Sequence, residues 1–236
     1  MRQVTTVIFD VYETLLQNEH RFWYDTFDII IREQRLNISR EFLWKAWLQL
    51  DQTFRANRNL PGAPFQTYYD GWRECFERTF AALGLEGDAS AASRRSFLDL
   101  SRRPPYPETL KALSTVQRGW RTAILSNADD DYLSPALKRL GFTFDAVLSS
   151  EQARAYKPHP SLFQEILDRL GVSPEESVYV GDRQFEDVKG ASQVGMGTVW
   201  INRAGAPLDP KLPTPDHQIR SLLELPRALE PRGSGG

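Results

Sequence analysis

The chain has 236 residues, of which 41% are hydrophobic and 25% charged, with a formal net charge of -2. That is enough chain for one large domain, or a domain with an insertion, around a sizeable core, and the near-neutral balance argues against nucleic acid or an anionic membrane as partner. The single cysteine, Cys75, excludes an internal disulfide; no window is apolar enough for a membrane span and no apolar leader precedes the first strand, so the chain reads as cytoplasmic.

The first element is the apolar run Val7, Ile8 and Phe9, suited to a parallel strand buried on both faces and ending at Asp10. Ligands of open α/β sheets bind at the carboxyl ends of strands, so a carboxylate there is a catalytic group or a helix cap. Residues 17–103 then break the strand–helix alternation. Phe22, Trp23, Phe27, Ile30 and Ile31 recur at helical spacing, as do Phe42, Leu43, Trp47 and Leu50, and again Trp72, Cys75, Phe76, Phe80 and Leu83. The spacing predicts an all-helical insert whose aromatics form its own core, with Cys75 a packed small residue. Gly84 and the Gly87–Asp88 turn end one of its helices, and NRNLPGAP (57–64) is a loop that could reach a substrate.

Pro104 and Pro105 close the insert and, with Leu16 and Gln17, mark a two-strand hinge. Alternation then resumes, with helices near 108–117, 133–140, 161–170 and 186–194 and strands at 122–125, 146–148, 178–180 and 198–201. Repeated units of this length imply parallel strands with right-handed crossovers. The expected fold is therefore α/β, a doubly wound parallel sheet formed by residues 1–16 and 104–236, carrying an all-helical cap at 17–103. A short element at 218–220 and a helix at 221–229 follow, and the terminal RGSGG is assigned no function.

Four groups fall at loops after predicted strands: Asp10 with Tyr12 and Thr14; Ser126 with Asn127; Lys157; and Asp182 with Asp187. Asp10 and Asp182 at one sheet edge would supply hard oxygen ligands suited to magnesium. Lys157 would offset their repulsion, and a serine hydroxyl with nearby amides can hold a phosphoryl oxygen. Asn127 can position Asp10 or the substrate through its amide. Arg55 and Arg58 are candidates to bind a substrate carboxylate or phosphate, set against a plain solvated-face role. Glu13 on an extended segment should point away from Asp10. His159, between two prolines, reads as a turn residue.

FDVYETLL, ILSN, YKPHPSLF and VGDRQFEDVKGA, in that order and spacing, resemble the four motifs of the haloacid dehalogenase (HAD) superfamily, and the insert resembles its first type of cap. The likeness covers residues 4–202. It implies a hydrolase of small molecules, monomeric or homodimeric, in which Asp10 is the nucleophile forming a covalent aspartyl intermediate and Ser126 binds the transferring group. Lys157 would neutralise charge. Asp10, Asp182 and the main-chain carbonyl of Tyr12 would hold Mg2+, with Asp187 orienting that ligand set or Lys157.

Two positions pull apart. Family phosphatases carry a second aspartate where this chain has Tyr12, whereas the haloacid dehalogenases carry Tyr; metal-independent dehalogenases resemble SSNxxD at the fourth motif, whereas VGDxxxxD is the magnesium-dependent form. The expectation is a magnesium-dependent phosphatase of a small phosphorylated metabolite with an altered acid/base step. A 2-haloacid dehalogenase and a non-enzymatic protein using the cap for interaction are the alternatives.

Overall fold

The computed structural model describes residues 4–230, so the RGSGG end lies outside the described residues. Six strands form one sheet: β1 (Thr6–Phe9), β2 (Arg121–Ser126), β3 (Ala146–Ser149), β4 (Ser177–Gly181), β5 (Gly197–Ile201) and β6 (His217–Ile219). Their order is β3-β2-β1-β4-β5-β6, with every neighbouring pair parallel. The chain winds outward from β1 to one edge, then returns to β4 and winds to the other. The reversal falls beside β1, which is where doubly wound sheets open a ligand crevice. β6, read from sequence only as a short element, extends the sheet.

Helices α1 (His20–Gln34), α2 (Arg40–Asn57), α3 (Tyr68–Leu83) and α4 (Ala89–Leu100) make up the insert. They are followed by α5 (Thr109–Val116), α6 (Asp130–Leu140), α7 (Ser150–Ala153), α8 (Pro160–Leu170), α9 (Lys189–Gln193) and α10 (Leu225–Leu229). No described helix is long and apolar enough to cross a membrane.

Contacts divide the chain into two compact units. One takes the residues up to Gln17, Pro104–Asn127 and those from Leu140 on; the other takes Asn18–Arg103 together with Ala128–Arg139. In the first unit, Ile8, Leu125, Leu148, Leu162, Phe163, Ile166 and Tyr179 form a core on one sheet face. The two connectors to the insert pair with each other: Gln17 N–H donates to Pro104 O at 2.9 Å, and Leu16 bridges Pro105.

The helical unit is held by aromatic rings. Trp23, Trp44, Trp47, Trp72, Phe27 and Phe76 are all buried and linked in one connected cluster of ring contacts, with Trp23 and Trp44 stacked at 5.5 Å, Phe27 edge-on to Trp44 at 5.2 Å, and Trp47 touching Trp72 and Phe76. Phe42 departs from the pattern: it is 59% exposed because the apolar stripe of α2 runs through Leu43, Trp44 and Trp47 instead. Cys75 is buried, and burial pushes its thiol up to about 12, so it packs and does not ionise. Gly84 ends α3 in the left-handed conformation a helix stop demands.

Asp129 adds a fixed point that spacing did not suggest. Its carboxylate accepts from Tyr68 N at 2.9 Å and Tyr69 N at 2.8 Å, meeting two of the unpaired amides at the start of α3. Tyr132, on α6, packs edge-on against Phe97 of α4 at 4.6 Å. These contacts are why residues 128–139 group with the insert, extending the helical unit beyond the 17–103 segment read from the sequence.

Candidate active site

The two middle strands of the sheet, β1 and β4, are each followed directly by an aspartate, Asp10 and Asp182. Asp10 follows β1 directly, its amide donating to Val180 O at 2.9 Å, and residues 11–16 close a tight turn. Leu15 N and Leu16 N both donate to Val11 O, and Glu13 N donates to Leu16 O at 2.7 Å. The extended backbone expected at Glu13 is corrected: the residue sits at φ 66, and its carboxylate accepts from Tyr106 OH at 2.8 Å. The turn is clamped from outside the motifs. Arg203 donates to Thr14 O at 2.9 Å while pairing with Glu108, and Thr109 Oγ1 donates to Leu15 O at 2.8 Å. Among the described residues, none hydrogen-bonds the buried Thr14 Oγ1.

Around Asp10 the expected residues converge. Ser126 Oγ donates to Asp10 Oδ1 at 2.8 Å, and Lys157 Nζ donates to the same oxygen at 2.9 Å. Lys157 also donates to Asp187 Oδ1 at 2.6 Å and to Tyr179 OH at 2.7 Å. Asn127 does not reach Asp10 through any of its hydrogen bonds here. It holds the Lys157 backbone in a two-point clamp, Oδ1 accepting from Lys157 N at 2.8 Å and Nδ2 donating to Lys157 O at 3.3 Å. His159 starts α8 as its cap, Nδ1 accepting from Ser161 N, in keeping with a turn role.

Asp187 is fixed on both oxygens, since Oδ2 accepts from Arg183 N at 2.8 Å. A π turn over Gln184–Val188 delivers it there, where the sequence suggested the start of an ordinary helix at 186. Gly181 is what lets it in: a Cβ at that position would lie 2.3 Å from Asp187 Cγ. Asp182 is half-buried, and its carbonyl accepts from Trp200 Nε1 at 2.8 Å.

One carboxylate oxygen from each of Asp10, Asp182 and Asp187 lies within 4.8 Å of the others. Burial, then the neighbouring carboxylates of Asp187 and Asp10, raise the pKa of Asp182 well above the usual range. Burial raises Asp187 to about 6, with Lys157 opposing it. For Lys157 burial acts against the charge, but Asp10 and Asp187 outweigh it and hold the ammonium well above the ordinary lysine value. When ionised, three carboxylates face one ammonium, and that hard oxygen set fits a magnesium ion.

Arg55 and Arg58 belong to the helical unit. Arg55 pairs with the buried Asp51 at 2.7 Å, Asp51 also accepts from Trp72 Nε1 at 2.8 Å, and both arginines donate to Tyr68 OH. That network gives Arg55 a partner inside the helical core, in place of a solvated face.

Tyr179, Trp200, Arg203 and Gly181 were not singled out from sequence. For Tyr179 a signal existed: a hydroxyl tip in the otherwise apolar run VYV needs a buried partner.

Residues 4–195 match the family of haloacid dehalogenase-like hydrolases. The chain is 34% identical over 226 residues to (S)-2-haloacid dehalogenase 4A of Burkholderia cepacia, covering 92% of this chain and 91% of that one. It is 34% identical over 157 residues to a phosphoserine phosphatase of Thermus thermophilus, covering 65% and 61%. Among solved structures, L-2-haloacid dehalogenase from Xanthobacter autotrophicus with chloropropionic acid covalently bound superimposes with a TM-score of 0.77 at 27% identity, covering 99% of this chain and 100% of that one. A match over most of the chain, with the motif residues gathered around Asp10, makes this protein a member of the haloacid dehalogenase-like hydrolase family.

Proposed function

We propose that the protein is a magnesium-dependent phosphatase of a small phosphorylated metabolite, working through Asp10. The observation that carries this reading is the acidic trio: Asp182 stands beside Asp10 and Asp187, and Lys157 donates to Asp10 and Asp187. A nucleophile that must be ionised gains nothing from a second carboxylate unless a cation is bound there. Asp10 and Asp182 would hold that ion, with the carbonyl of Tyr12, and Asp187 would stay behind them on Lys157 and Arg183 N. A bound magnesium ion would offset the phosphate's negative charge.

In the reaction, an Asp10 oxygen forms a bond to phosphorus as the bond to the substrate's ester oxygen breaks, leaving an aspartyl phosphate. Water then attacks phosphorus, releasing phosphate and restoring the Asp10 carboxylate. Ser126 and the buried Thr14 hydroxyl can donate to phosphoryl oxygens, and Lys157 offsets their charge. The leaving alkoxide needs a proton; a phenol such as that of Tyr12 can give one but is a poor base for activating water. The expected cost is slow turnover of esters with poor leaving groups.

A second reading, hydrolysis of a 2-haloacid, is favoured by Tyr12 and by the dehalogenase relative, which aligns over nearly the whole chain. There Asp10 would displace halide from carbon, and halide departs without a proton. The deciding experiment is phosphate release from p-nitrophenyl phosphate and chloride release from 2-chloropropionate, each with magnesium and with EDTA. Magnesium-dependent phosphate release supports the first reading; chloride release that survives EDTA replaces it with the second.

A further inference from the structure

We infer that Tyr179 is a positioning residue that holds the Lys157 ammonium against Asp10. The inference rests on the reading of Asp10 and Lys157 given above. Tyr179 lies in β4 opposite Ile8 of β1, and β2 lies on the far side of β1. Its side chain crosses β1, and its hydroxyl donates to Leu125 O of β2 at 2.6 Å. It is 1% exposed, and its ring packs edge-on against Phe163 of α8 at 5.2 Å.

The hydrogen-bond inventory fixes which way every proton points. A carbonyl only accepts, so the single phenolic proton is committed to Leu125 O. The phenolic oxygen must then accept from Lys157 Nζ, which lies 2.7 Å away. Lys157 has three N–H protons, and they go one each to Asp10, Asp187 and Tyr179. Asp187 and Tyr179 anchor the ammonium from behind, so the remaining proton is aimed at Asp10. Leu125 immediately precedes Ser126, so the same phenol ties the strand that delivers Ser126 to the strand that delivers Asp182.

Removing only the hydroxyl leaves one ammonium proton without an acceptor in a buried site and frees Nζ to shift. Tyr179→Phe should lower kcat by roughly ten- to a hundred-fold, the range for losing a hydrogen bond to a charged group, while KM changes by less than about twofold. The assay is p-nitrophenyl phosphate with magnesium, or 2-chloropropionate if that is what the wild type turns over. An activity-independent measurement accompanies it: the proton–nitrogen NMR signal of the Lys157 ammonium, assigned by its absence in Lys157→Arg. In the wild type this signal should show slow exchange with water, and in Tyr179→Phe exchange should speed up at least tenfold.

Unchanged kcat with a lowered Tm would reduce Tyr179 to a packing residue and overturn the inference. Wild-type exchange at the rate of surface lysines would overturn it too. If the wild type hydrolyses neither substrate, the functional reading fails, while the ammonium exchange still decides the role of Tyr179.

Discussion

Asp182→Asn should make the protein more stable in EDTA and insensitive to magnesium. The carboxylate oxygens of Asp10, Asp182 and Asp187 lie within 4.8 Å of one another. At that separation each like-charge pair costs about 3.5 kcal/mol with an effective dielectric constant of about 20. Asp182 faces two such carboxylates, and Arg183 and Lys157 together cancel about one of them. Because Asp182 is only half-buried, solvent screens part of the rest, leaving a gain of about 2 to 3 kcal/mol for the neutral amide. For a chain of this size that is a rise in Tm of about 4 to 12 °C. The pH dependence carries the same sign. Asp182 and Asp187 have folded pKa values raised above their unfolded ones, Asp187 to about 6. Between the two values the folded state keeps protons that the unfolded chain releases, so metal-free wild type should lose stability as pH rises from about 4 through about 6. Asp182→Asn should flatten that slope. Thermal melts in EDTA and in magnesium chloride, across that pH range, read all three effects. Saturating magnesium at a hundred times Kd should add about 2.7 kcal/mol to the wild type and nothing to the variant. A variant no more stable in EDTA, with a wild-type response to magnesium, would refute the electrostatic reasoning and the metal site together.

Asp10→Asn should abolish turnover with the fold intact, since losing a covalent nucleophile costs on the order of 10⁴- to 10⁶-fold; retention of more than about a tenth of wild-type activity counts against the assignment. Tyr12→Asp should raise phosphatase kcat, more for an unactivated alkyl phosphate than for an aryl one, because general acid/base catalysis contributes about 10²- to 10⁴-fold. In a haloacid dehalogenase the same change should lower chloride release without creating phosphatase activity. Asp129→Ala strips two amides of their acceptor at the start of α3 and should cost about 2 kcal/mol, seen as a lower denaturant midpoint. Gly181→Ala drives a methyl into Asp187 and should cost about 1 to 3 kcal/mol and weaken the magnesium response; an unaltered response would show that Asp187 can move aside freely.

The parallel strands and the reactive groups at their ends were legible because both leave local marks: a short apolar run, then a polar residue at a turn. Asp10, Ser126, Lys157 and Asp187 indeed meet in one hydrogen-bonded cluster. What escaped was whatever depends on distant partners. Tyr179 sits in a strand that reads as apolar, and its two polar partners, Leu125 O and Lys157 Nζ, are 54 and 22 residues away in sequence. Asn127 was expected at the nucleophile or substrate, yet the two hydrogen bonds described for its amide run to the Lys157 backbone, a pairing that no spacing rule encodes. The left-handed backbone at Glu13 escaped because glutamate is not a residue type that announces one. Phe42 misled for a related reason: helical spacing finds a stripe, but with aromatics on adjoining positions it does not say which stripe faces inward.

The helical unit is assembled from two separate stretches of chain, and that bears on how such modules can be exchanged between proteins. A fragment cut at 18 and 103 would carry α3 without the Asp129 carboxylate that meets its first amides, and Phe97 without the ring of Tyr132. Grafting this insert onto another core as one cassette would therefore transplant an unfinished module. A chimaera that also carries 128–139 takes with it the residues directly after Ser126 and Asn127, so the helical unit and the second motif are not independently tradable parts in this chain.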